Sequence, residues 1–170
     1  MLAGEHTCLA ISREAYVPDR APLKSHDVLT IDLNPAMNGY CGDLARTYFI
    51  EDGQVRCVPH RDGEFLAGAH AQASLHTLLL RVARPELRFD ELYGIVKDAA
   101  DRLECELLDY LGHSVQADMS ALDFIAPNVT HTLGEAGLFT LEPQIRVKGG
   151  RYGFKHENIY SFAGTVLHEL

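Results

Sequence analysis

Two pairs of carboxylates placed around tight turns constrain this chain more than any other feature. Asp32 and Asp43 flank the run Asn34-Pro35-Ala36-Met37-Asn38-Gly39, and Glu142 and Glu157 flank Lys148-Gly149-Gly150-Arg151. Val28-Leu29-Thr30-Ile31-Asp32-Leu33 is apolar and β-branched before the first turn, and Tyr40 to Ile50 reads as the returning strand. Leu138 to Val147 and Tyr152 to Phe162 read as the arms of a second hairpin, joined by a Gly-Gly dipeptide that supplies the positive φ a tight turn requires.

Opposed residues of an antiparallel hairpin lie equally far from its midpoint. The midpoint of Glu142 and Glu157 falls between Gly149 and Gly150, so these glutamates are expected to face each other, with Cβ atoms about 4.5–5.5 Å apart. The midpoint of Asp32 and Asp43 falls between Met37 and Asn38, which also predicts an opposed pair. A literal two-residue Asn38-Gly39 turn would instead make that contact diagonal. Carboxylates this close repel unless a cation lies between them. No lysine or arginine is evidently placed to do so, and a metal ion would resolve the conflict. His113, in Gly112-His113-Ser114, adds one imidazole. Four carboxylates and one histidine suit two Mn(II), Fe(II) or Co(II) ions, with Zn(II) also able to bind. Such ions activate water and polarise a carbonyl. The competing reading of each single pair is a set of solvated surface charges, and of His113 a hydrogen-bonded histidine.

Between the hairpins the pattern is helical. Asp62 can cap a helix from Gly63 to about Val82, with Phe65, Leu66, Ala69, Ala73, Leu78, Leu79 and Val82 as its apolar stripe. Asp90 can cap a second helix from Glu91 to Asp109, with Leu92, Val96, Ala99, Leu103 and Leu107 facing the core and Gly112 as its stop. Residues 7–17 read as a strand, and 114–137 as irregular. Strands, two helices, then strands predict an α+β fold, with helices packed on one face of an antiparallel sheet.

Size and charge narrow the partners. A chain of 170 residues implies a single domain over 1–170. The formal charge of −9 argues against nucleic acid and anionic membranes. No apolar run reaches the ~18 residues of a membrane span. Cys8, Cys41, Cys57 and Cys105 are scattered without a Cys-x-x-Cys, as expected of reduced thiols in a cytoplasm.

At these residues the chain resembles the pita-bread metallopeptidases: methionine aminopeptidase, aminopeptidase P, prolidase and their relative creatinase. Thr30-Ile31-Asp32-Leu33 through Asn38-Gly39-Tyr40-Cys41-Gly42-Asp43-Leu44-Ala45-Arg46-Thr47 is similar to the family's first hairpin. Leu111-Gly112-His113-Ser114-Val115, Phe139-Thr140-Leu141-Glu142-Pro143 and His156-Glu157-Asn158-Ile159-Tyr160 follow in the family's order. The resemblance implies a pita-bread fold of a curved antiparallel sheet covered by helices. It implies two divalent metal ions on Asp32, Asp43, His113, Glu142 and Glu157. It further implies hydrolysis of a peptide-type C–N bond by a metal-bridging hydroxide, with Glu142 and His113 as catalytic residues. The implied substrate is a small peptide or peptide-like molecule, cleaved in the manner of methionyl or Xaa-Pro peptidases.

Several departures keep other readings open. The resemblance begins inside the family's fold, which leaves two expectations: a fragment of a longer protein, or a chain that forms a homodimer to cover the surface left bare. Ala15 and Ser120 stand where the family carries two substrate-binding histidines, and Ser114 and Gln116 replace glycines. Among the remaining histidines, His131 and His156 are the best placed to compensate. His156 should point to the sheet face opposite Glu157. The alternatives are a catalytically impaired homologue acting as a binding or scaffold protein, and a creatinase-like hydrolase of a non-peptide substrate.

Overall fold

The computed structural model describes residues 1–11, 15–18, 20–38, 40–116 and 122–170. The strands are β1 (Leu2–Ala3), β2 (Asp27–Leu33), β3 (Ala36–Met37), β4 (Tyr40–Cys41), β5 (Leu44–Glu51) and β6 (Gln54–Arg56). The helices α1 (Gly63–Val82) and α2 (Phe89–Arg102) follow. Then come β7 (Cys105–Leu107), the short helix α3 (Leu133–Ala136), β8 (Leu138–Leu141), β9 (Gln144–Val147), β10 (Gly153–Lys155), β11 (Asn158–Ala163) and β12 (Val166–Glu169). Every strand pairing is antiparallel, in the orders β1-β2-β5-β6, β10-β9-β7, β12-β11-β8 and β3-β4. The single bridge Arg46↔His156 joins the two acid-bearing hairpins.

Asp62 caps α1 as expected, its carboxylate accepting from the Glu64 and Phe65 amides. The buried face of α1 differs from the apolar stripe read in the sequence. Leu66 and Ala73 are exposed, and the buried face is Phe65, Gly68, Ala71, Gln72, Leu75, His76 and Leu79. Two polar residues sit on it because their side-chain nitrogens meet backbone carbonyls. Gln72 Nε2 donates to the carbonyls of Pro143 (2.6 Å) and Phe154 (2.7 Å), and His76 bonds the His156 carbonyl and the Tyr160 hydroxyl. Gly68 lets the helix approach so closely that a Cβ there would lie 2.4 Å from the Phe154 ring.

The second helix ends earlier than its apolar period suggests. It starts at Phe89, with Arg88 rather than Asp90 in the cap position, and stops at Arg102. Glu104 then turns the chain with φ +56, and Cys105–Leu107 pairs with Val147, Arg146 and Ile145. The spacing of Leu103 and Leu107 suits a helix and a turn-plus-strand equally, and pairing with an open sheet edge decides between them. Gly112 is therefore not the helix stop.

The strand expected over 7–17 is not formed in its described part. Gly4–Cys8 is a 3-10 turn pinned to β10, where the Gly153 amide donates to the Thr7 hydroxyl and Gln144 donates to the Thr7 carbonyl. The long strands 40–50, 138–147 and 152–162 are each interrupted, at Gly42-Asp43, Glu142-Pro143 and His156-Glu157. Each interruption contains a candidate metal ligand. The core between helices and sheet is formed by Phe65, Leu75, Phe89, Leu92, Phe139, Phe154 and Tyr160 among others.

Candidate metal centre

The second hairpin keeps the expected register. Gly153 faces Arg146, Lys155 faces Gln144, and Asn158 faces Leu141, so the break between them leaves Glu142 opposite Glu157. The turn itself is not Gly-Gly in its central positions. Val147 accepts from the Gly150 amide, and Gly149, with φ +76, takes the turn position that needs a left-handed residue. Pro143 has no N–H to offer a ladder, which explains the interruption beside Glu142. The Glu157 amide donates across to the Ala45 carbonyl of the first hairpin, and Arg46 donates to the Glu157 carbonyl and to the Asn158 side chain.

The first hairpin departs from the expected midpoint. Asp32 faces Ala45, Ala36 faces Cys41 and Met37 faces Tyr40. That register, with Asn38 at φ +54, makes Asp32 and Asp43 diagonal rather than opposed. Asp43 is instead held by the Asn34 amide, which donates to its Oδ1.

His113 reaches the site on a segment laid beside β8. The Leu111 and His113 carbonyls accept from the Glu142 and Thr140 amides, and the Val115 amide donates to Leu138. Gly112 makes that approach possible, because a Cβ there would lie 2.2 Å from the Thr140 carbonyl oxygen. His113 Nδ1 is 2.9 Å from the Ser114 carbonyl. Donation there leaves Nε2 facing Asp43 Oδ2 and Glu142 Oε1, each at 3.3 Å.

All five candidate ligands converge. Asp43, His113 and Glu157 form one triad and Asp32, Glu142 and Glu157 another, with ligand atoms in each within 4.8 Å of one another. Glu157 belongs to both. Asp43, His113, Glu142 and Glu157 are buried, while Asp32 is part-exposed. Two like charges about 4 Å apart repel by roughly 4 kcal/mol at an effective dielectric near 20. The site therefore needs cations.

One cation is already present, and the sequence reading missed it. Lys155 Nζ lies 2.6 Å from Asp32 Oδ2 and 2.6 Å from Glu142 Oε2. Burial alone would push this ammonium down, but Glu142, Glu157 and Asp32 outweigh it and hold it well above the usual lysine range. The signal was available: residues two apart on a strand share a face, so Lys155 sides with Glu157.

The other triad has no such partner. Asp43 Oδ2 and both Glu157 carboxylate oxygens are buried with no hydrogen-bond donor among the described residues. Burial first, and then the Glu142 charge, push the Glu157 carboxyl well above its ordinary 4.5. Burial pushes His113 down, yet the Asp43 carboxylate 3.3 Å from its Nε2 and the Glu142 charge carry it above its usual value. Three buried carboxylate oxygens converging beside an imidazole nitrogen have the chemistry of a divalent-cation site.

Residues missed by sequence reasoning support these ligands. Thr140 Oγ1 accepts from the His113 amide and donates to Glu142 Oε1, which fixes both ligands. Tyr110 stands beside His113, with ring centroids 6.4 Å apart, and its hydroxyl is pushed up by burial and by Glu142. The compensating histidines do not join the cluster. His131 binds Asp123 at 2.7 Å and stacks on Phe89. The ring of His156 packs on His76, away from Glu157. Ser120 lies outside the described residues.

Residues 2–162 match metallopeptidase family M24. The chain belongs to this family. Among curated M24-type relatives, methionine aminopeptidase of Rickettsia prowazekii is 26% identical over 134 residues, which is 76% of this chain and 49% of that protein. The putative Xaa-Pro aminopeptidase of Mycoplasma pneumoniae is 24% identical over 141 residues, 78% of this chain and 36% of that protein. The chain thus spans about half the length, or less, of these relatives. The prolidase of Pyrococcus horikoshii OT3 superposes with a TM-score of 0.80 at 16% identity, over 99% of this chain and 45% of that one. Methionine aminopeptidase of Thermotoga maritima gives 0.70 at 15% identity, over 86% and 64%. The fold is the pita-bread fold of the M24 family, and it is α+β as the sequence suggests. Among the described residues, no helix is long and apolar enough to cross a membrane.

Proposed function

We propose that the chain acts as a divalent-metal-dependent hydrolase of peptide-type C–N bonds, of the methionyl or Xaa-Pro aminopeptidase kind. The observation that carries this reading is the pair of triads sharing buried Glu157. Asp43, His113 and Glu157 would hold one ion and Asp32, Glu142 and Glu157 a second, making the site dinuclear when both are filled. All-oxygen ligation with one imidazole favours Mn, Co or Fe over Zn. Bound there, the ions would supply an acidified water and a polarised substrate carbonyl.

The remaining steps belong to the chain's own side chains. Glu142, oriented by the Thr140 hydroxyl, is the group that takes and returns a proton at its carboxylate. His113 keeps Nε2 directed at the centre through its Nδ1 contact with the Ser114 carbonyl. A cleft of about 120 Å³, lined in part by Asp32, Tyr110, Gln144 and Lys155, borders the Asp32 side of the site and suits the end of a small peptide.

In the metal-loaded protein, Glu142→Gln should abolish hydrolysis of Met-Xaa and Xaa-Pro dipeptides while circular dichroism still shows the folded protein. Retained turnover would remove Glu142 from the role. A second reading is a family member that binds peptides without cleaving them. Lys155 among the carboxylates favours it, as does Ala15 at a position where the resemblance expects an imidazole. A metal-loaded protein that binds such dipeptides without turnover would support that reading instead.

A further inference from the structure

We infer that Lys155 is a built-in cation that makes the two triads unequal, so that a metal ion enters the Asp32–Glu142 side only by displacing the lysine ammonium. This inference rests on the metal-site reading above and refines it.

Lys155 Nζ sits between Asp32 Oδ2 and Glu142 Oε2 at 2.6 Å from each, and the lysine side chain is only 15% exposed. Those two carboxylates are the ones that, with Glu157, make up the second triad. An ion bound to the same oxygens at the ordinary ~2.0–2.2 Å would stand against an ammonium already bonded to them. The two cations therefore compete for one place. Asp43, His113 and Glu157 face no such competitor, and the oxygens left without donors, Asp43 Oδ2 and both of Glu157, belong to that triad.

Charge counting agrees. Four carboxylates with one divalent ion and the ammonium leave a small negative balance at the centre. Two divalent ions would neutralise the acids without the lysine, and adding the ammonium to them would overshoot. The second ion is thus worth most when Lys155 has swung out. Lys155 also lines the cleft of about 120 Å³ beside Asp32, Tyr110 and Gln144, which lies on the side of the site where the ammonium already sits.

The test is titration of the metal-free chain with Mn(II) chloride, read by calorimetry and by electron paramagnetic resonance. The unaltered chain is expected to take one tight ion per chain, giving a mononuclear six-line signal, with further uptake only at much higher Mn(II). Lys155→Met, which keeps the side-chain length and removes the charge, is expected to take two tight ions and show exchange-coupled Mn(II). Lys155→Gln should behave likewise, so that poor folding of one variant does not decide the result. Two equally tight ions in the unaltered chain would overturn the inference, as would one ion in both variants. No uptake by any of the three proteins would overturn the metal-site reading itself, and this inference with it.

Discussion

The two acid-bearing hairpins hold their carboxylates by different means. In the β8–β11 hairpin, pairing runs in one register on both sides of an interruption, and Glu142 and Glu157 are 3% and 0% exposed. Their positions follow from the core: Phe139, Leu141, Phe154 and Tyr160 alternate with them and are buried. In the β2–β5 hairpin, the acids lie near the tip, where Leu33 and Leu44 face each other in the open. There Asp32 is part-exposed and Asp43 depends on one side-chain amide, that of Asn34. A site of this kind gains a rigid half from the core and an adjustable half from a turn. The bridge Arg46↔His156 and the Glu157–Ala45 hydrogen bond keep the halves together.

The largest effect should come from the rigid half. Glu157 serves both triads, so Glu157→Gln should remove tight metal uptake altogether, whereas Asp32→Asn should leave the first ion in place. The same change has the opposite effect on the metal-free fold. Because the Glu157 carboxyl is raised in the folded state, the native protein binds more protons than the unfolded chain above pH 4.5. Its contribution to stability is then complete below that pH and is lost as pH rises. Metal-free Glu157→Gln should melt higher than the unaltered protein at pH 8 and lose the alkaline fall. Equal melting curves across pH 5–9 would mean that the Glu157 charge is relieved in another way.

Gly112→Ala comes next. Its Cβ would meet the Thr140 carbonyl oxygen at 2.2 Å, and φ +148 disfavours any side chain. We expect a loss of roughly 3 kcal/mol or more by chemical denaturation, from overpacking and backbone strain together, with metal affinity reduced because His113 is displaced. A loss below about 1 kcal/mol would show that the His113 segment adjusts freely, and the rigid half would not be rigid.

The smallest effect is expected at the adjustable half. Asn34→Ala removes the amide from Asp43 and should cost about 1–2 kcal/mol of stability in the metal-free protein. Metal restores Asp43 its partner, so the cost should shrink in the loaded protein. An equal loss in both states would show that Asn34 supports the turn rather than the ligand.

Much of this was legible in the chain. The Glu142–Glu157 opposition follows from a short glycine-rich turn between two apolar arms, since period-2 burial fixes which residues share a face. Asp62 announced α1 through its cap. The register of the first hairpin was not settled, because midpoint and turn chemistry pointed to different pairings and the local preference of Asn38 for positive φ prevailed. The buried face of α1 was misread because Gln72 and His76 look like surface residues until the carbonyls of Pro143, Phe154 and His156 are placed beside them. The end of α2 carried no proline or glycine to mark it, and the free edge of β9 captured Cys105–Leu107.

By itself, the sequence determined the hairpins, their acids, the helical segment between them and the family resemblance. These depend on local turn geometry and on burial periodicity, which are properties of neighbouring residues. Only the tertiary structure decided that Glu157 is shared between two triads, that Thr140 ties His113 to Glu142, and that Lys155 stands between Asp32 and Glu142. Those relations join residues far apart in the chain. Their energies depend on burial and distance, which exist only once the hairpins have closed on each other.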